Sequence, residues 1–84
     1  MNYCEKILSK TESISLSGNT VNIDTKGMEA TVITRDADVF IKANRETADK
    51  DAFVLAKGQS ISLNGSFYIS GDGADVRVLY CRII

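Results

Sequence analysis

Alternation of apolar and polar residues with a period of two is the feature that most limits how this chain can fold. In residues 13–17 isoleucine and leucine take the even positions and serines the odd ones, and residues 20–24 alternate in the same way. Successive side chains of a strand point to opposite faces of a sheet, so this period fits strands with one buried face. Helical spacing is scarce, and the pattern predicts an all-β protein.

Turn-forming residues divide the alternating runs into short strands. Gly18-Asn19 predicts a hairpin between the two runs described above, because both residues tolerate the positive φ of a tight turn, and Lys57-Gly58 predicts a second one. Further strands are expected at residues 29–34, 37–43, 53–55, 60–63, 66–70 and 74–83. The sequence therefore predicts one small antiparallel β-sandwich or barrel of about eight short strands, with residues 1–84 as a single domain.

The length of the chain favours assembly with other chains. A domain of 84 residues buries only about 60% of the surface that its unfolded chain exposes, so a supplement to the core is expected. The chain contains no proline, and no strand edge is therefore protected by a missing N–H group. A homo-oligomer is the predicted outcome.

The residues for common catalytic chemistry are missing from the sequence. Histidine, the commonest general base and transition-metal ligand, does not occur. The acidic pairs are interpreted as solvated turn residues, because none has the ligand order of a calcium loop; they are Asp36 with Asp38, Asp49 with Asp51, and Asp72 with Asp75. We expect no enzyme activity, no catalytic residue, no cofactor, no metal site and no small-molecule substrate.

The two cysteines lie near opposite ends of the chain. Cys4 and Cys81 become neighbours if the terminal strands pair, and a disulfide between them would enclose nearly the whole chain. The alternative is two reduced, half-buried thiols. The reduced state is favoured because disulfides are rare in cytosolic proteins.

The net charge and the first residues of the chain indicate which classes of partner and which location are expected. Ten basic and eleven acidic residues leave a formal net charge of −1, so no overall field attracts nucleic acid or an anionic membrane. The first residues have neither the charged start nor the apolar run of a signal peptide. We expect a protein that is made in a cytoplasm, is not secreted, and binds neither nucleic acid nor membrane.

Two surface features are candidates for an interface. The polar stretch 44–51 is predicted to be an exposed loop, and loops often carry binding residues; its charged candidates are Arg45, Glu46, Asp49, Lys50 and Asp51. Phe40 and Tyr68 fall on the strand face opposite their aliphatic neighbours. They are expected either to form an exposed patch between subunits or to lie under a loop.

Residues 37–80 carry an ordered series of short motifs. The series consists of Val39-Phe40-Ile41, the variable polar loop 44–51, Ala52 to Leu55, Gly58-Gln59-Ser60, Phe67 to Ser70 and Ala74 to Leu79. In this order the motifs resemble small proteins encoded among the virion genes of tailed phages and prophages. Their pattern has a Val-Tyr-Ile-Gly-Gly strand, a polar loop, a Phe-Pro-Leu or Tyr-Pro-Leu step, a Gly-Glu-Ser turn, Leu-Tyr-Ala-Ile and a closing Ala-Thr-Val-Arg-Val-Leu. Lys42-Ala43 replaces the glycine pair of that pattern, and Val54 stands in place of its proline.

The resemblance implies a non-enzymatic virion structural protein. Such a protein would be a capsid decoration or auxiliary component, or a piece of the neck or tail, and its partners would be capsid or tail proteins. It would be localised in the virion after synthesis in the bacterial host cytoplasm. The alternatives are a free-standing glycan- or peptide-binding β module and a small host-directed inhibitor that acts by strand addition.

Overall fold

The computed structural model describes residues 6–83, and strands dominate them. There are four strands, β1 (Lys6–Thr34), β2 (Val39–Lys42), β3 (Phe53–Leu55) and β4 (Ser60–Ile83), with a single turn of 3₁₀ helix at Asp49–Asp51. All strand pairs are antiparallel, and the order in the sheet is β1-β4-β2-β3. The predicted all-β class is confirmed.

The long strands β1 and β4 run beside each other in opposite directions. Residues 6–17 lie opposite 72–83, and residues 20–24 continue the same ladder opposite 66–70. The two alternating runs of β1 therefore follow one another along β4 and do not pair with each other. The hairpin predicted at Gly18-Asn19 is wrong.

The second predicted hairpin is also wrong. β3 pairs with β2, through Val39 opposite Leu55 and Ile41 opposite Phe53, whereas residues 60–64 pair with residues 29–34 of β1. The Lys57-Gly58 turn therefore links two segments that have different partners. The reversal that does form a hairpin joins β2 to β3 through residues 43–52.

Four segments are hydrogen-bonded on both sides. Residues 29–34 pair with residues 60–64 and also with residues 76–81. β2 pairs with β3 and with residues 68–70 of β4. Residues 76–81 pair with residues 8–14 and with residues 29–34, and residues 68–70 pair with residues 20–22 and with β2. Each of these segments is interior in the pairing, so its alternate side chains are well placed for burial.

The long strands must bend sharply. β1 has 29 residues and would be about 95 Å long if it were straight, yet the longest principal extent of the molecule is 40 Å. The ladder shifts register between Ser17 and Thr20 and again between Asp24 and Glu29. Gly18 and Gly27 have φ values of 87° and 83° at these two places, a left-handed conformation that glycine adopts without a steric penalty.

The core is built from the alternate residues that the sequence pattern indicated. Ile69 is fully buried and lies between Val21 and Ile41 of the adjacent segments. Burying such side chains supplies most of the favourable free energy of folding. The buried hydrophobic residues are Leu16, Ile23, Ala30, Val32, Val39, Ile41, Leu55, Phe67, Ile69, Ala74, Val76, Val78 and Tyr80.

Candidate functional site

A cavity of about 200 Å³ opens on the face of the sheet that points away from the core. It lies where the ends of three pairing segments meet, because Ser70 is opposite both Thr20 and Phe40. Its lining combines one aromatic ring, one ammonium group, two carboxylates, two hydroxyl groups and two glycines. The lining residues are Gly18, Thr20, Phe40, Lys42, Asp49, Ser70, Gly71 and Asp72, and we call this site the Lys42 cavity.

Lys42 is the unusual residue of this cavity. Strand alternation places it on the same face as Phe40 and opposite to Ile41, which belongs to the core. Its side chain is only 7% exposed, and its Nζ donates a hydrogen bond to Asp49 Oδ1 at 2.7 Å. Burial of an ammonium group is unfavourable unless it is paired. The Asp49 carboxylate therefore makes the buried position of Lys42 tolerable.

The loop between β2 and β3 supplies that carboxylate. Its chain is folded by backbone hydrogen bonds, from Thr47 N to Asn44 O at 3.2 Å and from Asp51 N to Ala48 O at 2.9 Å. Arg45 returns over the sheet, and its guanidinium carbon lies 5.3 Å from the centre of the Tyr68 ring. The loop thus borders the outward face of the sheet.

The structure divides the seven candidate interface residues into three groups. Phe40 and Asp49 line the cavity. Tyr68 and Arg45 form the ring contact just described, and both Phe40 and Tyr68 are half-buried. A patch between subunits at these two aromatic residues stays a prediction. The exposed side chains that do not line the cavity are Glu46, Lys50 and Asp51.

Sequence reasoning missed most of the cavity lining. The sequence pattern marks Lys42 only as a departure from a glycine pair, and Asp72 only as a solvated turn residue. The alternation along β2 was a usable signal for Lys42, because it places this lysine beside Phe40 on one face. No local signal brings Thr20 or Asp72 to the site, since both arrive through the pairing of β1 with β4.

Exposed apolar side chains mark a second feature at the margin of the sheet. Phe53 is 55% exposed and Val54 is 46% exposed, and both belong to the edge strand β3. Val54 lies opposite Phe40, so Val54 and Phe40 form an apolar strip beside the Lys42 cavity. Phe53 lies opposite Ile41 and points to the other face of the sheet. The other exposed large hydrophobic residues are Ile7, Leu8 and Ile83, at the end of the ladder where the start of β1 pairs with the end of β4.

A polar contact inside the core involves Tyr80. Its ring is almost completely buried, and its hydroxyl group donates to Glu12 Oε1 at 3.0 Å. Burial, with the hydrogen bond and charge of Glu12 and the charge of Asp24, raises the pKa of Tyr80 to about 12. The Lys10 ammonium lies 5.1 Å from the ring centre. This group stabilises the pairing of β1 with β4, and none of its residues lines the cavity.

Within residues 6–83, no cluster of three or more cysteine or acidic side chains is arranged to hold a metal ion. Cys81 is a half-buried free cysteine, while Cys4, its predicted neighbour, lies outside the described residues. None of the helical segments in this part of the chain has the length and apolar character to cross a membrane. Comparisons with protein families, with curated proteins and with solved structures return no match for this chain.

Proposed function

We propose that this chain is a non-enzymatic structural protein of a phage virion that acts by protein-protein assembly. It would serve as a capsid decoration or auxiliary component, or as part of the neck or tail, and would be localised in the virion after synthesis in the host cytoplasm. Its partners would be capsid or tail proteins and further copies of itself. No nucleic acid, membrane or small-molecule substrate enters this role.

The observation that carries the proposal is the exposed apolar edge at β3. An edge strand offers unpaired N–H and C=O groups, and natural proteins that remain monomeric usually protect such edges with lysine, proline or a bulge. Here the edge carries Phe53 and Val54 instead. Exposed apolar surface next to an open strand edge is typical of a site that other chains cover.

A compact two-layer form is the finer part of the proposal. The pairing falls into eight segments, residues 6–17, 20–24, 29–34, 39–42, 53–55, 60–64, 66–70 and 72–83. We infer that the sheet folds over at the sharp bends into a β-sandwich. One layer would contain residues 6–17, 29–34, 60–64 and 72–83. The other layer would contain residues 20–24, 39–42, 53–55 and 66–70. Two features support this arrangement: the sharp bends of the long strands, and the single core cluster formed by alternate, buried side chains of the strands.

Light scattering of the purified chain tests the assembly role. We expect the molar mass of an oligomer for the unmodified protein, and a shift to monomer for Val54→Lys, because a lysine at an open edge disfavours strand contacts. Ala43→Lys is the matched control, since Ala43 is exposed and lies in the loop after β2, outside the strand edges. A monomeric unmodified protein, or equal effects of both variants, would contradict the role.

Analysis of phage particles tests the virion assignment separately. Mass spectrometry of purified particles from the source should detect this chain at a copy number that matches a lattice site. The absence of the chain from particles would refute the assignment.

A further inference from the structure

We infer that the Lys42 cavity binds one neutral sugar ring, or a polyol of similar size. The inference goes beyond the assembly role and does not depend on it, because the cavity lies within a single chain. It is carried by the size of the cavity, the balance of its charges, and the kinds of polar groups that surround the Phe40 ring.

The size of the cavity limits the ligand to a small molecule. Pockets for drug-sized ligands typically enclose about 300–1,000 Å³, and this cavity encloses about 200 Å³. Its lining includes Gly18, where the missing side chain leaves open space, and Gly71, where a Cβ would instead contact Leu16 and Ala74. A single six-membered ring suits this volume better than an extended chain.

The charges of the lining argue against ionic ligands. Lys42 contributes one positive charge, and Asp49 and Asp72 contribute two negative charges. The excess of carboxylate disfavours an anion such as phosphate. A divalent cation would lie beside the buried Lys42 ammonium, and no acidic cluster of metal-binding type occurs among residues 6–83. A neutral ligand avoids both the repulsion of an anion by the two carboxylates and the repulsion of a cation by the Lys42 ammonium.

The polar groups of the lining match the hydroxyl groups of a sugar. A hydroxyl group both donates and accepts, so it can donate to a carboxylate of Asp49 or Asp72 and accept from the Lys42 ammonium. That ammonium has three protons, of which one is given to Asp49 Oδ1. The hydroxyl groups of Thr20 and Ser70 can complete the set, since each donates and accepts.

The aromatic ring completes the match. Phe40 is half-buried in the lining, where it presents apolar surface next to the polar groups. A sugar ring has the same two-sided character, because its C–H face is apolar and its hydroxyl edge is polar. Sites that combine apolar area with a few convergent polar groups fix both the orientation and the identity of a ligand.

Titration followed by amide NMR spectra tests the inference directly. The probes are D-glucose, D-galactose, D-mannose and N-acetyl-D-glucosamine, each added to the full chain, with sodium phosphate and calcium chloride in parallel. We expect at least one sugar to give saturable shifts of the backbone amides of Thr20, Ser70 and Asp72. The inference is overturned if no sugar shifts these amides, or if phosphate or calcium shifts them and the sugars do not.

A matched pair of variants assigns the site. Asp72→Asn keeps the shape of an exposed side chain but removes its charge. We expect it to weaken sugar affinity by about ten-fold, because a hydroxyl group binds a neutral amide oxygen less strongly than a carboxylate. Asp51→Asn makes the same change on an exposed residue outside the cavity and should leave affinity unchanged. Equal affinities of the two variants would overturn the inference. Light scattering of the same samples reports assembly separately.

Discussion

The Lys42 ammonium and the Asp49 carboxylate lie 2.7 Å apart, although the two side chains differ greatly in exposure. Lys42 is almost fully buried on β2, whereas Asp49 is 66% exposed in the loop that follows. The ion pair thus links the loop to the sheet. Water can solvate the Asp49 carboxylate, whereas the buried Lys42 ammonium depends on Asp49 for compensation of its charge.

Because Lys42 is buried and Asp49 is exposed, substitutions at these two residues should change the free energy of unfolding by unequal amounts. Asp49→Asn leaves the buried ammonium without its charge partner and should lower the free energy of unfolding by about 1–2 kcal/mol. Lys42→Met removes the buried charge itself and should cost less, because apolar replacement of a buried charge is often nearly neutral. Urea denaturation measures both, with Asp51→Asn as the control. Equal losses for Asp49→Asn and Asp51→Asn would contradict this reasoning.

The buried phenol of Tyr80 predicts a loss of stability in strong base. Its pKa is raised to about 12 from the ordinary value of 10.0, mainly by burial. Below pH 10 the phenol is protonated in both the folded and the unfolded chain, so stability is unaffected. Between pH 10 and pH 12 the unfolded chain releases a proton that the folded chain keeps, and stability must fall as pH rises.

Comparison with Tyr80→Phe isolates this effect from other titrating groups. The variant also loses the hydrogen bond to Glu12, and we expect it to be less stable at neutral pH by about 1 kcal/mol. Denaturation curves at several pH values should show this difference shrinking above pH 10. A difference that stays constant to pH 12 would be evidence against a raised pKa.

The centre of the core predicts a large cost for truncation. Ile69 is fully buried between Val21 and Ile41, so Ile69→Ala should lower the free energy of unfolding by about 2–5 kcal/mol. Ile83→Ala removes the same atoms from a side chain that is about half exposed, and should change stability by no more than about 0.5 kcal/mol. Chemical denaturation of the two variants makes the comparison. A loss at Ile69 as small as that at Ile83 would contradict the position of Ile69 in the centre of the core.

A lysine with positive φ predicts a stabilising substitution. Lys26 has φ of 50°, a left-handed conformation that costs a side-chain-bearing residue roughly 1–2 kcal/mol. Lys26→Gly relieves this strain and should raise the free energy of unfolding by up to about 1 kcal/mol. The gain is no larger because glycine also adds flexibility to the unfolded chain, which offsets part of it. Lys57→Gly is the matched change in another exposed turn, and should lower stability. The two shifts in thermal midpoint must have opposite signs for this argument to hold.

Period-two alternation predicted which side chains face the core. It placed Val39 and Ile41 on one face of their strand and Phe40 on the other, and the structure buries the first two while Phe40 lines the outward cavity. The reason is local, because the direction of a side chain follows from the backbone of its own strand.

Turn residues predicted where the chain bends but not what the bend connects. Gly18 does adopt positive φ, yet the flanking runs continue along β4 and do not fold onto each other. A glycine determines the conformations open to its own residue, whereas the choice of a pairing partner depends on strands far away in sequence. The hairpin predictions failed for this reason.

The amino-acid sequence by itself determined the all-β class, the inward and outward faces of the strands, and the positions of sharp turns. Each of these follows from backbone geometry within a few residues. Only the tertiary structure decided that β1 pairs with β4 along most of its length, that Lys42 is buried against Asp49, and that Thr20 and Asp72 meet Phe40 in one cavity. These depend on contacts between distant segments, which are selected by burial of the core as a whole.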